Sequence, residues 1–141
     1  MHRAVTILCV MVLTFGVYGI AKGFQGKAGR DMSPVEAEKA LKGDSTLVVL
    51  DVRTSDEFGS ETGHLRGARL IPVQELDKRM GELDPVKART IIVYCRTGHR
   101  SKIAQNMLLA KGFNAINVTG GIVQWNAKHL PVVKEPREQK K

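Results

Sequence analysis

Two short, continuous apolar runs constrain the fold of this chain more than any other feature of its sequence. They lie at residues 46–50 (TLVVL) and 90–94 (TIIVY), and both are rich in β-branched side chains. A strand that is apolar at consecutive positions is buried on both faces, as in parallel sheets that are covered by helices on both sides. The two runs therefore predict central strands of an α/β fold.

Helical segments alternate with these strands. Two capping boxes, Ser33–Glu36 and Thr54–Glu57, place a hydroxyl residue three positions before a glutamate and predict helix starts. The first helix is expected to end at Gly43 in a left-handed conformation. Further helices are predicted at 73–83, 101–111 and 122–128, with short strands at 69–71 and 115–118 and a turn at Asp84-Pro85. This alternation predicts an α/β domain with a mainly parallel sheet.

Composition narrows the class of protein. The chain has 141 residues, a length typical of one domain, and its 22 Lys and Arg exceed its 14 Asp and Glu to give a net charge of +8. Two cysteines are too few for a disulfide scaffold or a four-cysteine zinc site. Aromatic residues make up 5%, and no basic stripe with interleaved aromatic residues is present, so we predict no nucleic-acid partner.

The N-terminal segment predicts export. Residues 4–21 (AVTILCVMVLTFGVYGIA) carry no charge, follow Arg3 and end in small residues, which is typical of a secretory signal cleaved after Ala21. The run is also long enough to remain as a membrane anchor, and a buried core helix is a third alternative. We predict an exported, periplasmic or otherwise extracytoplasmic protein, with membrane tethering through residues 4–21 as the alternative. The predicted parts are a signal peptide or anchor at 1–21, a linker at 22–32, a folded domain at 33–133 and a charged, flexible tail at 134–141.

One cysteine loop carries the strongest chemical signal. Ligands of parallel sheets bind at the carboxyl ends of strands, where Asp51, Cys95 and Thr119 follow predicted strands. The loop 95–101 (CRTGHRS) joins a strand to a helix, so backbone N–H groups and the helix N-terminus can converge on an anion. Arg96, His99 and Arg100 add positive charge, and Gly98 permits the tight turn. Such surroundings lower the pKa of a thiol from about 8.5 and favour the nucleophilic thiolate.

This loop resembles the active-site loop of the rhodanese (sulfurtransferase) family. Three further segments resemble motifs of that family in the same order: 50–53 (LDVR) with Glu57-Phe58, 63–72 (GHLRGARLIP), and 120–125 (GGIVQW) with 130–132 (LPV). Together the motifs extend over roughly residues 33–133. The resemblance implies a single rhodanese-like domain whose central, five-stranded parallel sheet is flanked by helices.

The resemblance also implies a reaction. Cys95 would take a sulfane sulfur from a small anionic donor such as thiosulfate, or from a persulfide, and pass it to a thiol or to cyanide. The residues implied in substrate binding are Arg96, Thr97, Gly98, His99, Arg100 and Ser101. Arg100 would bind the sulfonate-like end of the donor, and Arg96 would extend the positive field at the pocket mouth. No metal and no cofactor is expected.

Asp51 and Arg53 are predicted to support the site. We expect Asp51 to pair with Arg53 or to accept loop N–H groups, and a role for Asp51 as a proton acceptor is the alternative.

Other functions could use the same cysteine. A sulfur-carrier or partner-docking module would hold the persulfide with little turnover, and a redox sensor would be oxidised at Cys95. Cysteine-dependent phosphatases and arsenate reductases are a less favoured alternative. In this loop, four residues separate Cys95 from Arg100. In phosphatases of this kind, one more residue separates the cysteine from the arginine. The shorter loop favours sulfur over phosphate.

Overall fold

A parallel sheet forms the centre of the structure, which is a computed structural model describing residues 29–134. Within that range the sheet has five strands in the order β1-β5-β4-β2-β3, and every neighbouring pair is parallel. The strands are β1 (Asp31–Met32), β2 (Val48–Asp51), β3 (Arg69–Leu70), β4 (Thr90–Tyr94) and β5 (Asn114–Val118). The predicted α/β fold with a five-stranded parallel sheet is confirmed.

Helices cover both faces of this sheet. They are α1 (Pro34–Gly43), α2 (Ser55–Phe58), α3 (Leu76–Arg79), α4 (His99–Ala110) and α5 (Gly121–Ala127), with a 3₁₀ helix at Met80–Val86. Ala104 and Leu108 of α4 belong to the core on one face. Ala37 of α1 and Trp125 of α5 belong to the core on the other.

The apolar strand patterns follow directly from this layering. Successive side chains of a strand point to opposite faces, so a strand covered on both sides needs apolar residues at every position. In β4, Ile91 and Val93 enter the core under α4, whereas Ile92 and Tyr94 enter the core under α1 and α5. All four are completely buried.

Both predicted capping boxes are present. Ser33 and Glu36 exchange hydrogen bonds at the start of α1, and Thr54 and Glu57 do the same at the start of α2. The predicted end of α1 is different, because Gly43 is the last helical residue and is not left-handed. Asp44 caps the helix in an extended conformation and donates its backbone N–H to the carbonyl of Ala40 at 2.9 Å.

Most other predicted elements differ from the structure by one or two residues at an end, and three differences have a structural cause. The last two residues of the predicted linker form β1, which is defined by its pairing with Asn117 and Val118 of β5 rather than by a local pattern. The single helix predicted at 73–83 is the short α3 followed by the 3₁₀ helix, which includes the predicted Asp84-Pro85 turn. Helix α4 begins at His99 instead of residue 101, because left-handed Gly98 is its N-cap.

The predicted segment at 1–21, most of the predicted linker, and all but the first residue of the predicted tail at 134–141 lie outside the described residues. Among residues 29–134, none of the helices has the length and apolar character needed to cross a membrane.

A buried ion pair anchors the carboxyl end of β2. Arg53 and Asp51 are 1% and 0% exposed, and the Arg53 guanidinium donates to both carboxylate oxygens of Asp51, at 2.6 and 3.0 Å. The predicted pairing of Asp51 with Arg53 is therefore confirmed. Arg53 also donates to the carbonyls of Glu57 and Gly63 and to the hydroxyl of Thr62. One buried cation thus joins β2 to α2 and to the following loop.

We predict that Arg53→Met lowers the free energy of unfolding by about 3–5 kcal/mol, because it leaves the Asp51 carboxylate buried without its cation. Urea denaturation measures the change. The control is Arg79→Met, which removes an arginine that makes ion pairs with Glu75 and Glu82 at the surface. A loss for Arg53→Met no larger than that for Arg79→Met would contradict an anchoring role.

Candidate active site

The Cys95 sulfur lies at the carboxyl edge of the sheet, directly after β4. The residue is 1% exposed. Its Sγ accepts hydrogen bonds from the backbone N–H of Gly98 at 3.1 Å and from the Ser101 hydroxyl at 3.4 Å. The sulfur is therefore surrounded by donors from the loop that follows it, as expected for a site that stabilises negative charge.

Backbone hydrogen bonds connect the start of helix α5 to this loop. The backbone N–H groups of Ile122 and Val123 donate to the carbonyls of Cys95 and Arg96 at 2.9 and 3.1 Å. The first turn of a helix has free N–H groups that need acceptors, and these two carbonyls supply them. Because the carbonyls point toward α5, the N–H groups that follow in the loop can turn toward the sulfur.

Two glycines make this contact possible. Gly98 has φ 97°, and a Cβ at this position would lie 2.9 Å from the backbone nitrogen of Gly120. Gly121 has φ 54°, and a Cβ there would collide with the carbonyl oxygens of Cys95 and Arg96. Left-handed backbone and close approach both require glycine. The sequence predicts the tight turn at Gly98, whereas it places Gly121 only within a family-like motif.

These surroundings lower the pKa of the Cys95 thiol. Burial has the largest single influence and raises the pKa, because it disfavours the charged thiolate. Hydrogen bonds from the Ser101 hydroxyl and from the backbone N–H groups of Ser101, Gly98 and Thr97 act in the opposite direction and together outweigh burial. The site therefore favours the nucleophilic form of the cysteine.

The predicted cations do not all occupy the same environment. Arg96 and His99 are exposed, whereas Arg100 is about one quarter exposed and is engaged by Glu57. The two terminal nitrogens of Arg100 donate to the two carboxylate oxygens of Glu57, both at 2.7 Å. This bidentate pair fixes the guanidinium beside the loop.

Glu57 is a site residue that the sequence prediction did not include. In the sequence it belongs to a capping box and to a family-like motif, but no local pattern connects it with an arginine 43 positions away. Arg53 donates to its backbone carbonyl, so the buried ion pair at the end of β2 also positions Glu57. The contacts thus run from Asp51 through Arg53 and Glu57 to Arg100.

The remaining predicted residues belong to the same loop and differ in their exposure. Thr97 is exposed, Gly98 is half-buried and Ser101 is completely buried. Ser101 also contacts Asn117 of β5, with its hydroxyl 2.6 Å from the amide oxygen. Asn117 was not predicted as a site residue.

Among residues 29–134, no group of three or more His, Cys, Asp or Glu side chains is placed to hold a metal ion.

We predict that Gly121→Ala disrupts the thiol site, because the new methyl group displaces the carbonyls of Cys95 and Arg96. A rise of one unit in the pKa of Cys95 corresponds to about tenfold less thiolate below the pKa. The rate of alkylation by iodoacetamide at neutral pH, measured in a Cys9→Ser background, is expected to fall accordingly. Gly43→Ala is the matched control, since its added Cβ has no heavy-atom neighbour within 4 Å. Equal alkylation rates in the two variants would contradict a role for Gly121 in the ionisation of Cys95.

We also predict an acid-sensitive contribution of Glu57 to stability. The Arg100 guanidinium, with help from Thr54, lowers the pKa of Glu57 from 4.5 to about 2. A carboxylate whose pKa is depressed by folding stabilises the protein above its unfolded pKa, and this stability is lost as the pH falls toward the folded pKa. The unfolding free energy of the native chain is thus expected to exceed that of Glu57→Gln at pH 7, with the difference shrinking below about pH 4.5. A difference that stays constant down to pH 3 would show that the ion pair contributes nothing.

Known proteins are similar to this chain in sequence and fold. The family profile described as Rhodanese-like domain matches residues 33–128. A mitochondrial protein of Schizosaccharomyces pombe that is named for thiosulfate sulfurtransferase activity is 35% identical over 100 residues, which are 64% of this chain and 70% of the relative. A sulfurtransferase of Allochromatium vinosum is 33% identical over 88 residues, which are 62% of this chain and 78% of that protein.

Solved structures agree with these matches. The crystal structure of a rhodanese-related protein from Thermoplasma volcanium has a TM-score of 0.68 and 30% sequence identity, and the match covers 75% of this chain and 99% of that one. Some relatives are much longer, since the matching region is 27% of the length of the MoeZ protein of Mycobacterium tuberculosis, which is 32% identical over 108 residues. With its cysteine loop at the edge of a five-stranded parallel sheet, the chain belongs to the rhodanese-like domain family.

Proposed function

We propose that this protein is a sulfurtransferase that moves a sulfane sulfur through a persulfide on Cys95. The observation that carries the proposal is the convergence of the Ser101 hydroxyl and of loop N–H groups on the buried Cys95 sulfur. Family membership and relatives named as sulfurtransferases support it. The proposed donor is thiosulfate or a persulfide, and the proposed acceptor is a thiol or cyanide.

The proposed reaction has two balanced halves. In the first, the Cys95 thiolate attacks the outer sulfur of thiosulfate, the sulfur–sulfur bond of the donor breaks, and sulfite leaves with the bonding electrons. In the second, a thiolate or cyanide attacks the terminal sulfur of the persulfide, and Cys95 leaves as the thiolate. The products are then a new persulfide or thiocyanate. Such a covalent intermediate gives ping-pong kinetics.

The loop would serve each half of this reaction. The N–H groups that stabilise the Cys95 thiolate would also stabilise the negative terminal sulfur of the persulfide. Arg100 would bind the sulfonate-like end of the donor. A guanidinium has five N–H donors, and Glu57 takes up two of them, so Arg100 retains donors for a second anion. Arg96, which is exposed at the start of the loop, would add positive charge at the mouth of the site.

The sulfur-carrier and redox-sensor alternatives depend on the same thiol. A carrier would form the persulfide but transfer its sulfur slowly to small acceptors, and a sensor would be oxidised without carrying sulfur.

The uncharged run at residues 4–21 supports the further proposal that the chain acts outside the cytoplasm, either after cleavage or tethered to a membrane.

Intact-mass spectrometry after incubation with thiosulfate tests the proposal. The reduced native chain is expected to gain one sulfur atom, and cyanide or a thiol is expected to remove it. Cys95→Ser should gain nothing, whereas Cys9→Ser, which removes the other cysteine, should behave like the native chain. A folded, reduced chain that gains no sulfur from thiosulfate or from a low-molecular-weight persulfide would refute sulfur transfer at Cys95. Sulfur gained but not released to either acceptor would favour the carrier alternative.

A further inference from the structure

The Ser101 hydroxyl lies between two acceptors. Its oxygen is 2.6 Å from Oδ1 of Asn117 and 3.4 Å from Sγ of Cys95. Ser101 is completely buried, and Asn117 is 3% exposed. A hydroxyl group has one proton to donate, so it cannot make a full hydrogen bond to both acceptors at once.

Asp31 determines which end of the Asn117 amide faces the serine. The amide nitrogen of Asn117 donates to Oδ1 of Asp31 at 3.4 Å, and the same carboxylate oxygen accepts from Nζ of Lys102 at 2.8 Å. Rotating the amide by half a turn would place its oxygen against the carboxylate. The amide oxygen therefore faces Ser101, where it can only accept a proton.

This arrangement connects the ionisation of Cys95 to Asn117. While Cys95 is a neutral thiol, the shorter contact directs the Ser101 proton to the amide oxygen. A thiolate attracts the same proton more strongly, because hydrogen bonds to a charged acceptor are stronger. When the proton turns toward the sulfur, two acceptor oxygens remain facing each other across a buried contact, which costs free energy.

We propose that Asn117 is a positioning residue that competes with the Cys95 sulfur for the hydroxyl proton of Ser101, and that Asp31 holds the amide in the competing orientation. The competition is a property of the free thiol. Its importance for turnover rests on the proposed sulfur transfer, because it sets how readily Cys95 becomes a thiolate and how firmly Ser101 bonds to the persulfide. Removing the amide oxygen is therefore expected to make Cys95 more acidic, whereas loss of a merely supporting contact would make it less acidic.

The elements around the sulfur also carry charged groups. The loop and α4 contribute Arg96, His99, Arg100 and Lys102, the β2–α2 region contributes Asp51, Arg53 and Glu57, and β1 contributes Asp31. Helix α5 has no charged residue. Substitutions at 101 and 117 change none of these groups, so a comparison within that pair isolates the hydrogen-bond competition.

A double-mutant cycle tests the proposal. The full chain with Cys9→Ser serves as the parent, and the pKa of Cys95 is measured from the pH dependence of its alkylation by iodoacetamide. Ser101→Ala is expected to raise the pKa. Asn117→Leu, which has a similar volume and no acceptor, is expected to lower it and to increase the alkylation rate below the pKa by about threefold to tenfold. In the Ser101→Ala background, Asn117→Leu is expected to have no effect.

Two results would overturn the proposal. A pKa that Asn117→Leu raises or leaves unchanged would mean that Asn117 only supports Ser101. A decrease of equal size with and without the Ser101 hydroxyl would mean that Asn117 acts by another route. Circular dichroism and thermal unfolding establish that each variant is folded.

A surface substitution keeps the test available if the Asn117 variants do not fold. Asp31→Ala removes the acceptor that holds the amide, and Asp31 is 40% exposed. The removed charge lowers the pKa of Cys95 in both backgrounds, so the proposal requires a larger decrease when Ser101 is present, and equal decreases refute it. No sulfur donor is used in these measurements. Failure to form a persulfide would therefore count against the proposed function alone.

Discussion

The site depends first on the contact between the cysteine loop and the start of α5. Two carbonyls, those of Cys95 and Arg96, accept the N–H groups of Ile122 and Val123. This contact satisfies a helix terminus and, at the same time, turns the loop so that its own N–H groups converge on the sulfur. It exists only because Gly121 leaves room for the two carbonyl oxygens. The geometry of the thiol site thus depends on backbone N–H groups of a neighbouring helix.

A second constraint comes from the buried pair of Asp51 and Arg53. A buried ion pair is costly to desolvate, and it is tolerated here because Arg53 also satisfies the carbonyls of Glu57 and Gly63. These bonds place α2 beside the cysteine loop, where Glu57 engages Arg100. The stability of the fold and the charge distribution at the site are therefore coupled. Arg53, which anchors the end of β2, also positions Arg100 through Glu57.

The correct predictions came from patterns that act over a few residues. The continuous apolar runs identified β2 and β4, because burial on both faces leaves a direct mark on composition. The capping boxes identified the starts of α1 and α2, because their hydrogen bonds connect residues three positions apart. The strand β1 was missed because two residues carry no periodicity, and it is a strand only through its pairing with β5. The apolar spacing predicts one helix over α3 and the 3₁₀ helix, because it continues without a break from one to the other.

The sequence by itself determined the family and the cationic loop that carries the proposed nucleophile, because both are encoded in short contiguous segments of residues. Only the tertiary structure decided which groups complete the site. Glu57 reaches Arg100 across 43 positions, and Asn117 reaches Ser101 across 16. Both contacts follow from the strand order, which places β2 and β5 on either side of β4. That order results from the packing of the whole domain, so no local pattern of residues records it.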